Sequence, residues 1–237
     1  MVYSPKRIRR APPGKRFKMK KFAIFDFDGT LVDSMPYWQQ EERDYLSSRG
    51  VTDPDTVDKV MERIKPLNIM EASQIMVDWF HFPDDPKEIG MGFAARMGVR
   101  YRESIPAKDG AREYVEALRR DGVRMAVASG TARELMEACL ERLGMRDNFE
   151  FLLSCLEMGA GKDRPDIYLE AARRFGASPG EIVVYEDSAV AMRTAKDAGF
   201  YGVGVFDPPS AGHWDELQEL ADASAKSWAD ALRMKCQ

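Results

Sequence analysis

The chain has 237 residues, 44% of them hydrophobic and 31% charged, with a formal net charge of −4. That length supports one sizeable core plus a smaller module. No apolar run reaches the roughly 18 residues a bilayer-spanning helix needs, so no membrane partner is expected.

Nine of the 35 basic side chains fall in residues 1–21, which carry none of the 39 acidic ones. The remainder thus holds 26 basic against 39 acidic groups, and an acidic body argues against nucleic acid as the main partner. The basic stretch contains Pro5, Pro12, Pro13 and Gly14 and has no apolar periodicity, so residues 1–20 are read as a disordered tail. It lacks the apolar centre of a secretory signal, and Met19 is expected to be the native start. The cysteines Cys139, Cys155 and Cys236 show no ligand-like spacing; Cys139 and Cys155 sit in apolar contexts and are read as packing residues, and this usage fits a reducing cytoplasm.

The first strand is the apolar run 22–25, which leads directly into Asp26-Phe27-Asp28-Gly29-Thr30. Two carboxylates two positions apart share one side of an extended backbone, and the glycine lets the chain turn away. Residues 35–106 then read as helices: Tyr37, Trp38, Tyr45 and Leu46, then Val57, Val60, Met61 and Ile64, then Ile69, Ile75, Met76 and Trp79. Pro66, Pro83 and Pro86 break them, and no strand pattern intervenes. The stretch is therefore expected to be a small helical insertion, with core segments 21–34 and 107–237 on either side.

From Lys108 onwards helices alternate with short apolar runs. The runs are 123–128, 149–153, 182–185 and 200–206. Helices are expected before the first of them and over 132–143, 165–175, 189–198 and 214–220. This alternation predicts βαβ units and an α/β fold with a parallel sheet. Ligands in such sheets lie beyond the carboxyl ends of the strands. The polar residues fall there: Asp26 and Asp28 after the first strand, Ser129-Gly130-Thr131 after the second, and Glu186-Asp187-Ser188 after the run 182–185. Gly159-Ala160-Gly161-Lys162 leads to a lysine just before the helix at Pro165.

With these residues assembled, the chain resembles the haloacid dehalogenase superfamily of phosphatases and phosphomutases. Asp26-x-Asp28-Gly29-Thr30-Leu31-Val32-Asp33-Ser34 is similar to its first motif and Ser129 to its second. Lys162 with Pro165-Asp166-Ile167-Tyr168 matches the third, and Glu186-Asp187 the fourth. The insertion is similar to the helical cap of the subgroup containing β-phosphoglucomutase. A Rossmann-like parallel-sheet core under a helical cap is what the resemblance implies.

Asp26 is the expected nucleophile, forming an acyl phosphate that water then hydrolyses. Asp28 is expected to protonate the leaving oxygen and then to activate water. Four unneutralised carboxylates at one rim would repel each other and the phosphate, so a Mg²⁺ ion is expected among them. Asp187 is the expected direct ligand, with Glu186 direct or through water, provided the strand ends there so that both can reach the ion. The resemblance adds the Asp26 side chain and the Asp28 backbone carbonyl.

Ser129, Gly130 and Thr131 are expected to hold phosphate oxygens at a helix start, with Thr131 also read as the cap of the helix at Ala132. Lys162 offers a point charge to Asp26 and the phosphoryl group. Substrate choice is assigned to the insertion, near Lys65, Asn68 and Met70. Within the resemblance, dehalogenases and phosphonoacetaldehyde hydrolases lack the second aspartate of the first motif, so Asp28 points to phosphate esters. Trp38 stands where β-phosphoglucomutase has a histidine, and that enzyme's Gly-x-Ser-Arg cap signature is absent around residues 63–74. The expected activity is therefore hydrolysis of a small phosphorylated metabolite. A phosphomutase is the alternative, and a non-catalytic phosphometabolite binder the second alternative.

Overall fold

A computed structural model describes residues 20–64 and 69–235; residues 1–19 of the basic tail and Cys236 lie outside the described residues. The first strand, β1 (Phe22–Phe25), is apolar throughout because helices cover both faces of its sheet. Alternate residues serve opposite cores: Ala23 and Phe25 pack on one face, Ile24 on the other.

Four helices follow: α1 (Met35–Ser48), α2 (Pro54–Ile64), α3 (Ile69–Phe80) and α4 (Pro86–Glu103). They have an apolar centre of their own, with Leu46, Val60, Ile64, Met76 and Phe93 buried together. Asp85 caps α4 by accepting from the Lys87 amide, and Pro86 supplies the preset φ at its first turn. The chain leaves and re-enters the sheet side by side: Val32 bridges Ala107, Asp33 donates to the Pro106 carbonyl, and Lys108 donates to that of Leu31.

The remaining elements alternate strand with helix, as expected up to the helix that starts at Trp214, apart from a single turn at Cys155. They are α5 (Ala111–Arg120), β2 (Arg124–Ser129), α6 (Arg133–Arg142), β3 (Phe151–Ser154), the single turn α7 (Cys155–Met158) and α8 (Asp166–Phe175). Then come β4 (Ile182–Glu186), α9 (Ala189–Asp197), β5 (Tyr201–Val205), α10 (Trp214–Leu220), β6 (Ala223–Ala225) and α11 (Trp228–Lys235). Pro165 precedes α8 and Gly176, at φ 67°, closes it. The strands form one parallel sheet in the order β3-β2-β1-β4-β5-β6. The chain thus winds outward from β1 in one direction and returns to its other side at β4. That reversal falls between β1 and β4, and open α/β sheets bind ligands at the carboxyl ends of the strands at such a point.

Two elements at the end of the chain were not expected. β6 pairs Val205 with Ala225, and α11 closes one face of the sheet. Trp228 of α11 stacks among Phe25, Tyr114 and Tyr185, and its indole N–H donates 3.1 Å to the Thr30 carbonyl. The last helix therefore props the turn that follows the first strand. Cys139 and Cys155 are both free thiols buried in the two cores.

Candidate active site

β1 stops at Phe25, but the Asp26 amide still donates 2.9 Å to the Tyr185 carbonyl, so Asp26 sits at the sheet rim beside β4. Gly29 turns the chain at φ +75°, and a Cβ there would stand 2.7 Å from a carboxylate oxygen of Asp187. Only glycine suits both the backbone angle and the close approach. β4 ends at Glu186, and Ser188 caps α9, its hydroxyl accepting from the Ala191 amide. The strand breaks where Asp187 begins, so neighbouring residues need not point to opposite faces. Asp26, Glu186 and Asp187 each offer an oxygen, all within 4.8 Å of one another, and all three residues are buried.

Lys162 reaches this trio from the loop before α8. Its Nζ donates to Asp26 and, at 3.1 Å, to Glu186. Burial raises Asp26, reinforced by Asp28 and opposed by Lys162. Burial and Asp26 raise Glu186 well above the carboxylate range, and the same causes bring Asp187 up to about 8. Burial works against the charge on Lys162, but Asp26 and Glu186 outweigh it and hold the ammonium well above its usual range. Three buried acids thus face one ammonium. An all-oxygen, charge-excess donor set of this kind fits a hard divalent cation.

Asp28 belongs to a second group. Its Oδ1 accepts from Ser34 Oγ at 2.6 Å and from Tyr101 Oη at 2.5 Å. Its Oδ2 accepts from Thr131 Oγ1 at 2.6 Å and from Ser129 Oγ at 3.3 Å. Ser129 Oγ also accepts from the Thr131 amide at 3.0 Å. The capping role expected of Thr131 is not what the structure has: residue 132 occupies the cap position of α6, with no side-chain capping bond. The Thr131 hydroxyl is drawn to Asp28 instead, because a charge-assisted bond is stronger than a neutral cap. Gly130 is exposed, and a Cβ there would meet open space. Lys65 and Asn68 lie outside the described residues; Met70 is 43% exposed at the start of α3.

Several supports of the site escaped the sequence reading. Thr30 Oγ1 and Ser210 Oγ each donate to one oxygen of Asp187, at 3.3 and 3.1 Å. Lys108 donates to the carbonyls of Gly29 and Phe206 and, at 2.6 Å, to Asp207. It thereby ties the first-motif turn to the loop after β5. Lys108 stands 79 to 99 positions from its three partners, a separation at which local sequence carries no signal. The Lys108 side chain is 14% exposed and Asp207 0%. Lys108→Met would therefore leave a buried carboxylate unpaired, at a cost of about 3 kcal/mol. For a chain of this size we expect a melting temperature lower by roughly 8 °C; an unchanged melting curve would remove the ion pair from the account of the site.

Comparison with known proteins gives the family. Residues 20–199 match the model of the haloacid dehalogenase-like hydrolase family. Hexitol phosphatase B of Escherichia coli K12 is 30% identical over 211 residues, which is 86% of this chain and 91% of that protein. Among solved structures, a HAD-family hydrolase of Deinococcus radiodurans with bound phosphate and sodium superposes with a TM-score of 0.73 at 26% identity, covering 92% and 95% of the two chains. A haloacid dehalogenase-like protein of Agrobacterium tumefaciens gives a TM-score of 0.75 at 23% identity, covering 92% and 98%. The chain belongs to the haloacid dehalogenase-like hydrolases.

Proposed function

We propose that this chain is a phosphatase that hydrolyses a small phosphorylated metabolite through an aspartyl-phosphate on Asp26. One observation carries the reading. At the carboxyl ends of β1 and β4, a buried carboxylate bonded to Lys162 stands two residues from a second carboxylate held by hydroxyl donors. An Asp26 oxygen attacks phosphorus, and the ester oxygen departs with a proton from Asp28. Water then attacks the acyl phosphate, giving its proton to Asp28 and restoring the Asp26 carboxylate. Lys162 and the Ser129 hydroxyl lie where they would neutralise and orient the phosphoryl oxygens.

Asp26, Glu186 and Asp187, with the Asp28 backbone carbonyl, would hold a Mg²⁺ ion. When bound, that ion supplies positive charge to the phosphoryl group and relieves the repulsion among the acids. The helices α1–α4 form the cap in this reading, opening to admit substrate and closing against water. A phosphorylated sugar or sugar alcohol is the first substrate class to test, by analogy with hexitol phosphatase B. Two buried free thiols suit a cytoplasmic enzyme. Among the described residues no helix is long and apolar enough to cross a membrane.

The test is phosphate release with Mg²⁺ from sugar phosphates, sugar-alcohol phosphates, phosphoglycolate and nucleoside monophosphates. It includes β-glucose 1-phosphate with and without a sugar bisphosphate. Release of inorganic phosphate from one class well above the others is the expected result. Isomerised sugar phosphate without phosphate release would make the protein a mutase, and no reaction with any ester would overturn the catalytic reading.

A further inference from the structure

We propose that Tyr101 is a positioning residue that aims Asp28 at the leaving oxygen of the substrate, an inference that rests on the phosphatase reading and its assignment of Asp28 as the acid. A carboxylate can accept about four hydrogen bonds, and Asp28 has four donors; the longest, from Ser129 at 3.3 Å, is the one that yields when Asp28 takes up the proton it delivers. They fall into two sets. Oδ2 is held by the sheet rim, through Ser129 and Thr131 at the end of β2. Oδ1 is held from the side of the helical insertion, through Ser34 just before α1 and Tyr101 near the end of α4. The plane of the carboxylate is thus set by two structural bodies, and Tyr101 is the more distant half of one grip.

Tyr101 is built to hold still. Its ring is fully buried, packed beside Phe27 with centroids 5.9 Å apart. Its backbone carbonyl accepts from Arg142 of α6, from Nε at 3.3 Å and from a terminal guanidinium nitrogen at 3.2 Å. The same guanidinium bonds the Ile105 carbonyl, so the end of α4 is fastened to the core. The Tyr101 hydroxyl in turn accepts 3.1 Å from the indole N–H of Trp38 on α1 and has Thr131 Oγ1 at 3.4 Å. With an indole donating to it, the hydroxyl has its own proton free for Asp28. Burial and the neighbouring Asp28 charge hold the phenol well above its usual range, so it remains a donor at working pH. Neither Tyr101 nor Trp38 occurs in the motifs that name the nucleophile, the acid or the metal ligands.

The consequence depends on the leaving group. Expulsion of a sugar alkoxide requires the Asp28 proton, whereas p-nitrophenolate leaves without one. Because kcat/KM covers only the steps through departure of the first product, it isolates this difference. Tyr101→Phe keeps the ring and removes only the hydroxyl. We expect it to lower kcat/KM for the best sugar phosphate by about tenfold, as losing one bond to a charged group should. For p-nitrophenyl phosphate kcat/KM should change by less than about twofold, because no acid is needed. Asp28→Asn should lose more on the sugar phosphate than Tyr101→Phe does. Equal losses on the two esters would mean that Tyr101 serves packing alone, and no loss on either would mean that its hydroxyl is idle; both overturn the proposal. Wild-type protein inactive on both esters would instead bring down the phosphatase reading itself.

Discussion

Asp26→Asn is expected to reduce turnover by at least about a thousandfold, because an amide cannot become an acyl phosphate. The substitution changes almost no volume, and the residue's backbone bond to Tyr185 does not involve the side chain. Fold and melting temperature should therefore survive. Removing the carboxylate also removes one of three crowded acids and the principal partner of Lys162. The remaining Glu186 still accepts from the lysine at 3.1 Å, so the ammonium keeps a partner. Two measurements check the expectation together. Steady-state hydrolysis of the best substrate gives the loss. Acid-quenched protein incubated with ³²P-labelled substrate shows whether a phosphoryl group remains on the chain. Wild type should trap label and the variant should not. A variant that turns over at more than a tenth of the wild-type rate would require a nucleophile other than Asp26.

Metal removal should abolish hydrolysis and, in addition, make stability depend on pH in a defined direction. Asp187 ionises at about 8 in the folded protein, mainly through burial and the charge of Asp26. In an unfolded chain an aspartate ionises near 4. The folded state therefore binds the extra proton across that window, and its stabilising contribution is complete below about pH 4 and gone above about pH 8. Glu186 and Asp26, both raised, act in the same sense. Protein treated with EDTA should thus melt at a lower temperature as pH rises from about 6 to about 8. A divalent cation binds the ionised acids, so saturating Mg²⁺ should raise the melting temperature most at the upper end and flatten the profile. Calorimetry with and without metal reads this independently of catalysis. Parallel profiles, with no more gain at pH 8 than at pH 6, would show that the trio does not bind the ion.

The parts of the fold that were legible in the sequence are those with strong local signals. Phe22–Phe25 and Ile182–Glu186 are central strands buried on both faces, and such strands read as unbroken apolar runs. Pro165 and Gly176 bracket α8 for equally local reasons. The strand expected over 149–153 runs instead over Phe151–Ser154, because Phe149 ends a short 3₁₀ turn before the chain extends. β6 escaped because Ala-Ser-Ala has no hydrophobic pattern; it is a strand only by pairing with β5. In the site, the acids at strand ends were visible because each follows an apolar run. Their supports were not. Tyr101 meets Asp28 from 73 positions away and Thr131 from 103. Local reading gave Thr131 to the nearest helix, and a distant carboxylate took it.

The indole of Trp228 donates to the Thr30 carbonyl across 198 positions of chain. A fragment that stopped short of α11 would possess every acid, hydroxyl and lysine of the chemistry and still lack a brace beneath the turn that presents them. That brace is made last, after the signature residues are all in the chain.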